Sequence, residues 1–351
     1  MKFILKNLRL LPLLFVVFAF NACSDDDDNG TPPQPTLLDI YATAQTSAEL
    51  TNLVAAIEEA GLDATLEGDG PFTVFAPTND ALAALLADLG VSTLDQVPDD
   101  VLENVLKNHV ISGEIIMSSD LVSAGSGYQN TLGEGPDGEF LSLFFNVDGS
   151  TVELNGGAAN STDINAGANV TTADIMATNG VVHIVNSVIM PPTVVDHALA
   201  NPNLTSLVAA LQEADGSDTD PMLIPTLSGD GPFTVFAPLN DAFTAFLDGA
   251  ALTEVDDETL NSVLLHHVID GNVTAGDLTD GLDPDTREGD KIIINLPGND
   301  GNPAKITDGS GNTDIDIVLV NIQGTNGVVH AIESVLSPDT EDDGDGDGEE
   351  D

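Results

Sequence analysis

The chain lacks tryptophan altogether, holds tyrosine only at Tyr41 and Tyr128, and has one cysteine, Cys23. Leu, Val, Ile, Ala and Phe must therefore fill any core, and stacking platforms for sugars or bases have few residues to draw on. One cysteine excludes an internal disulfide and leaves zinc only histidines and carboxylates. Cations are scarce too: seven Lys and Arg stand against 59 Asp and Glu. That field repels phosphate polyanions, so nucleic acid is excluded as a partner, and anionic lipid head groups are poor ones. It attracts calcium or sodium ions, and it reads either as adaptation to salty surroundings or as charge-based binding. The apolar run Leu10–Phe20 is too short to cross a bilayer as a helix.

What is present is ample apolar content, 42% of 351 residues, enough for about two packed domains. Lys2, Lys6 and Arg9 precede the Leu10–Phe20 run, and Asn21-Ala22-Cys23 closes it. Residues 1–22 resemble a bacterial lipoprotein signal, which makes Cys23 the expected lipidated residue and the lipid its only expected membrane contact. Ser24 to Gly30 is rich in aspartate and Thr31 to Pro35 in proline, so 23–35 is expected to be a disordered tether. Its Ser-Asp stretch is similar to the export signal of surface-exposed Bacteroidetes lipoproteins. The expected location is the outer membrane, facing outward.

An internal repeat organises the rest. Gly70-Pro71-Phe72-Thr73-Val74-Phe75-Ala76-Pro77 recurs at 231–238, Thr178-Asn179-Gly180-Val181-Val182-His183 recurs at 325–330, and His109-Val110-Ile111 recurs at 267–269. Order is kept while spacing drifts, as in a duplicated domain. Leu50, Leu53, Val54 and Ile57 carry a helical period, and so do Leu82, Leu85, Leu86 and Leu89, with Thr78 or Asn79 as N-cap. Leu102, Val105 and Leu106 mark a third helix, opened by Pro98-Asp99-Asp100. Phe72–Ala76 reads as a strand. Asn179-Gly180 reads as a two-residue hairpin turn, pairing Met176 with His183 and Ile175 with Ile184. Helices first and strands second argue α+β.

Gly-Pro-Phe-Thr-Val-Phe-Ala-Pro-Thr-Asn-Asp-Ala (70–81) and Asn-Gly-Val-Val-His-Ile-Val-Asn-Ser-Val-Ile (179–189) resemble the two signature blocks of fasciclin domains. The resemblance covers 36–192 and 193–338. It implies, for each, a β-sandwich-like wedge with flanking helices. It also implies extracellular placement and a role in adhesion or matrix contact. The family usually has a Tyr-His pair where this chain has Asn108-His109 and His266-His267.

The histidines are the best catalytic candidates, yet they read as structural. His109 and His267 follow the apolar face of a helix, and His183 and His330 sit among Val181, Val185, Val328 and Ile332. With Asn179, Gly180, Asn326 and Gly327 they are expected to specify the fold. His197 has no repeat, its counterpart being taken as Ile40. No Gly-x-Ser-x-Gly, no phosphate loop and no Gly-x-Gly-x-x-Gly opening a helix after a strand is read in the sequence. No cofactor is expected, and the protein reads as non-enzymatic. Asp174-Ile175 resembles an Asp-Ile element proposed as an adhesion contact in animal relatives; strand packing is the competing reading. Asp343, Asp345 and Asp347 match the first half of a calcium loop, a weak ion site at most, in the acidic tail 339–351, which is expected to be disordered. The sequence thus points to a surface protein binding extracellular matrix, polysaccharide or surface proteins. The alternative is a glycan or small-ligand receptor.

Overall fold

The structure is a computed structural model that describes residues 37–157, 166–216, 222–298, 301–302 and 304–339. The leader 1–22, Cys23, the tether, and Asp343, Asp345 and Asp347 lie outside the described residues. The first repeat holds helices α1 (Ile40–Gln45), α2 (Thr51–Glu59), α3 (Asp63–Leu66), α4 (Asn79–Asp88), α5 (Asp99–Lys107) and α6 (Ser118–Ala124). Its strands are β1 (Phe72–Pro77), β2 (Val110–Ser112), β3 (Ser126–Glu134), β4 (Phe140–Asp148), β5 (Thr151–Leu154), β6 (Ala168–Ala177) and β7 (Gly180–Val185). The second repeat holds α7 (Val194–Ala200), α8 (Thr205–Gly216), α9 (Leu223–Leu227), α10 (Asn240–Leu247) and α11 (Asp257–His266). Its strands are β8 (Phe233–Pro238), β9 (Val268–Asp270), β10 (Ile293–Asn295), β11 (Ala304–Thr307), β12 (Ile315–Gly324) and β13 (Gly327–Ile332).

The helices form where the apolar period runs. Leu53 and Ile57 are buried along α2 with Leu50 just before it, and Leu102, Val105 and Leu106 along α5. Asp99 and Asp100 open α5 and Lys107 closes it, complementing the helix dipole. Of the two candidate caps of α4, Thr78 is the one used: its hydroxyl accepts the Ala81 N–H. Asn79 instead accepts the Asn52 N–H and ties α4 to α2.

The first sheet runs β2-β1-β7-β6-β5-β4-β3, and the second runs β10-β11-β12-β13-β8-β9. Within each, the pair made by the two signature strands, β1 with β7 and β8 with β13, is parallel, and the remaining ladders are antiparallel. In the first sheet the ends β2 and β3 also lie side by side, so it curls into a half-barrel. Two cores result. Phe72, Val74 and Ala76 face the helices with Leu53, Leu82, Leu102 and Val105. Phe75 faces into the curl with Ile111, Leu143, Phe145, Leu154 and Val185. Burial on both faces explains why Phe72–Pro77 is apolar at every position but Thr73. Each large apolar side chain so buried contributes about 1.5–3 kcal/mol.

The hairpin departs from the expected register. Ala177 pairs with Gly180 and Met176 with Val181, so Thr178-Asn179 forms the turn. The cause is tertiary. The Asn179 side chain turns inward, accepting the Ile40 N–H and donating to the Leu66 and Gly68 carbonyls. Its carbonyl accepts the Phe72 N–H. Gly180 must then enter the strand as glycine, since a Cβ there would lie 2.1 Å from the Phe72 carbonyl oxygen. The second copy repeats the arrangement: Asn326 accepts the Val194 N–H and donates to the Leu227 and Gly229 carbonyls.

That repetition aligns the copies. Val194 is the counterpart of Ile40, so the counterpart of His197 is Thr43 and not Ile40. The helix α6 has no counterpart among the described residues of the second repeat.

The two repeats pack on each other. Tyr128 of β3 rests against the second helical core, and its hydroxyl accepts the Asn201 side-chain N–H. Its ring meets Phe144 at 4.9 Å and the edge of His197 at 5.7 Å. Ser142 of β4 donates to the Asn321 carbonyl and accepts the Gln323 N–H of β12.

Candidate functional site

Four repeated histidines are the residues from which chemistry was to be sought, and the fold uses all of them in pairs. The His109 Nδ1–H donates to the Val105 carbonyl at 2.7 Å, and its Nε2 accepts the Ile189 N–H at 2.9 Å. His267 repeats this with Val263 at 2.7 Å and Leu336 at 2.8 Å. Each ring ties the end of a helix to the segment after the last strand. His183 uses the opposite tautomer: Nε2–H donates to the Ile116 carbonyl and Nδ1 accepts the Asp174 N–H. His330 does the same with Val273 and Asn321. Phe75 and Phe236 stack on the second pair at 5.5 and 5.7 Å.

A ring with both nitrogens committed to backbone can neither move a proton nor bind a metal without losing a hydrogen bond. Burial lowers the pKa of His109 and His267 to about 4, against smaller upward pulls from the helix carbonyls. His183 and His330 are lowered for the same reason.

The Tyr-His departure is also explained. Asn108 donates to the Ile189 carbonyl and accepts from Thr131. His266, at the matching place, accepts the Gly309 N–H on Nε2 and faces Thr286 with Nδ1 at 3.3 Å. Glu288 lies 3.5 Å from that Nδ1, and Asp290 completes a group within 4.8 Å. Sequence reasoning missed this trio, because Glu288 and Asp290 come from a loop that no spacing connects to α11. The Gly309 contact puts the ring proton on Nδ1, where a metal would need a lone pair, so the donor set suits a hydrogen bond to Glu288 or Thr286 and not an ion.

Asp174 and Ile175 separate in role. Asp174 sits in a bulge of β6 with φ +63°, as Asn321 does in β12 with φ +60°. Its carboxylate accepts both the N–H and the hydroxyl of Ser118, fixing the start of α6. Those bonds and the nearby His183 hold its pKa below the usual carboxylate range, although desolvation, the largest single influence, pulls upward. Asn321 accepts the Ala275 N–H in the same way. Ile175 packs against the helical core, while Met176 beside it is 41% exposed. A second surface feature is an open cleft of about 390 Å³ where Pro136 meets Thr193, Asp230, Pro232 and Thr325. Neither an aromatic ring nor a histidine lines it.

The fasciclin-domain family model matches this chain twice, over residues 48–191 and 202–338. The chain belongs to the fasciclin domain family. It is 36% identical to protein sll1483 of Synechocystis sp. over 157 residues, 45% of this chain and 74% of that protein. It is 27% identical to transforming growth factor-beta-induced protein ig-h3 of Sus scrofa over 320 residues, 89% of this chain. The chain spans 41% of ig-h3's length. A solved FAS1 domain pair from the insect cell adhesion molecule fasciclin I aligns over 84% of this chain and 95% of that one, at 19% identity and a TM-score of 0.48. The two fasciclin domains here mix helices and half-barrel sheets. Among the described residues, no helix is long and apolar enough to cross a membrane.

Proposed function

We propose that this fasciclin pair is a non-enzymatic adhesion or matrix-binding module, held on the bacterial surface through an acylated Cys23. What carries the reading is the use of the repeated histidines: every one of the four spends both ring nitrogens on backbone groups. The residues shared by both copies build the fold, which leaves contact by the outer surface as the task. Family membership supports the same reading. The anchoring part rests on the leader and on the aspartate- and proline-rich segment that follows Cys23.

Beads coated with the chain are expected to attach to protein- or polysaccharide-coated surfaces more than beads coated with an equally acidic control. Equal attachment would end the adhesion reading. Cys23→Ala or globomycin is expected to release the protein from the membrane fraction. Continued stable membrane attachment would end the lipoprotein part. The cleft beside Pro136 makes a small-ligand receptor the second reading, and its polar, ring-free lining favours it less.

A further inference from the structure

The second domain presents a face that the first domain covers, and the described residues leave the same face of the first domain uncovered. In the second domain that face is built from His197, Asn272 and Gln323, with Asn321 exposed at its border and its carbonyl accepting from Ser142. Gln323 Nε2 donates to the Asn272 side chain at 3.0 Å, and Asn272 reaches Pro136 of the first domain. Gln323 is 3% exposed and His197 is fully buried beneath Tyr128. The counterparts in the first domain follow from matching hydrogen bonds. Thr73 donates to the Glu114 carbonyl and accepts the Ile116 N–H, as Thr234 does with Gly271 and Val273. Ile115 therefore stands for Asn272. Asp174 stands for Asn321, since each receives a backbone N–H and sits in the same bulge. Met176 then stands for Gln323, and Thr43 for His197.

The uncovered face is the more apolar of the two. Ile115 is 42% exposed and Met176 41%, where the covered face has a hydrogen-bonded amide pair. We propose that Ile115 and Met176, bordered by Thr43 and Asp174, form a docking socket for a β-hairpin of another protein that carries an aromatic ring. The occupant is inferred from what fills the equivalent socket, the β3–β4 hairpin with Tyr128 and Phe144. A second copy cannot supply that hairpin while its own is docked. Nor do the described residues of the second domain hold a substitute. Thr286 stands to His266 as Thr131 stands to Asn108. The matching segment there carries Asp283, Asp285, Glu288, Asp290 and Lys291. This inference rests on the adhesion reading and names the surface and the kind of partner it uses.

The test uses the full chain and its own hairpin as the probe. Gln323→Arg breaks the amide bond to Asn272 and forces a longer, charged side chain against Gly135 at the foot of the hairpin, which undocks it; Asn201→Arg, which removes the Tyr128 partner, is the second undocking variant should the first fail to fold. Light scattering at about 10⁻⁴ M, a concentration at which weak interfaces still associate, is the readout. The wild type is expected to be monomeric and the undocked chain to associate. Adding Met176→Asp or Ile115→Asp is expected to restore the monomer, while Val101→Asp, on the exposed side of α5, leaves association intact. An undocked chain that stays monomeric, or association indifferent to Met176→Asp and Ile115→Asp, would overturn the socket. Those results leave bead attachment untouched, whereas loss of attachment by the wild type removes the adhesion reading alone.

Discussion

At the scale of single residues, the histidines carry the sharpest consequences. A base whose folded pKa is depressed favours the folded state when neutral. Its contribution is fully present above the unfolded pKa of about 6.5 and is lost as pH falls from there toward the folded value. For His109 and His267 that value is about 4. The unfolding free energy from urea titrations is therefore expected to fall from pH 6.5 to 4, by up to about 1.4 kcal/mol per pH unit for each such ring, and the urea midpoint with it. His109→Leu orphans the Val105 carbonyl and the Ile189 N–H, at about 1–3 kcal/mol each, and should flatten part of that slope. A midpoint unchanged over this range would contradict the buried neutral rings. Asp174 gives a second check. Asn321 shows that an amide fills this left-handed bulge position, so Asp174→Asn should leave the melting temperature nearly unchanged. Asp174→Ala loses the Ser118 contacts and strains the backbone, at about 1–3 kcal/mol.

At the scale of elements, the hairpin turns act as clamps between strand and helix. Asn179 joins the entry to α1, the end of α3 and the loop before β1. Asn179→Ala is expected to cost about 2–4 kcal/mol by leaving buried backbone groups unpaired, and Asn326→Ala the same. Calorimetry on both variants checks this; a loss under about 0.5 kcal/mol, the scale of an ordinary surface change, would show that the clamp is dispensable. The Asn-Gly signal was legible in sequence, but its register was not. Local turn preference puts Asn-Gly in the loop, whereas the inward amide and the contact of Gly180 with Phe72 shift it by one residue. The same limit hid the counterpart of His197: only the matching bonds of Asn179 and Asn326 show that it is Thr43.

At the scale of the whole molecule, charge and the interdomain seam decide behaviour. With 59 acids against seven Lys and Arg, self-repulsion opposes compactness and is screened within about 8–10 Å at ordinary salt. The melting temperature is expected to rise with sodium chloride, and with calcium at equal ionic strength or lower; a flat response would count against self-repulsion. The Tyr128–His197 and Ser142–Gln323 contacts couple the domains, so one calorimetric transition is expected for the wild type, and two for Gln323→Arg, whose side chain displaces Gly135 and with it the hairpin.

The amino-acid sequence by itself determined the duplication, the helix faces and the strand between Phe72 and Ala76. Those are set by short-range periodicity and by which side chains water rejects. Only the tertiary structure decided the hairpin register, the partner of each imidazole nitrogen, the His266–Glu288–Asp290 grouping and the fact that one domain covers the other. These depend on groups brought together from distant parts of the chain, where a buried polar atom must find a partner and local sequence holds no record of which one it finds.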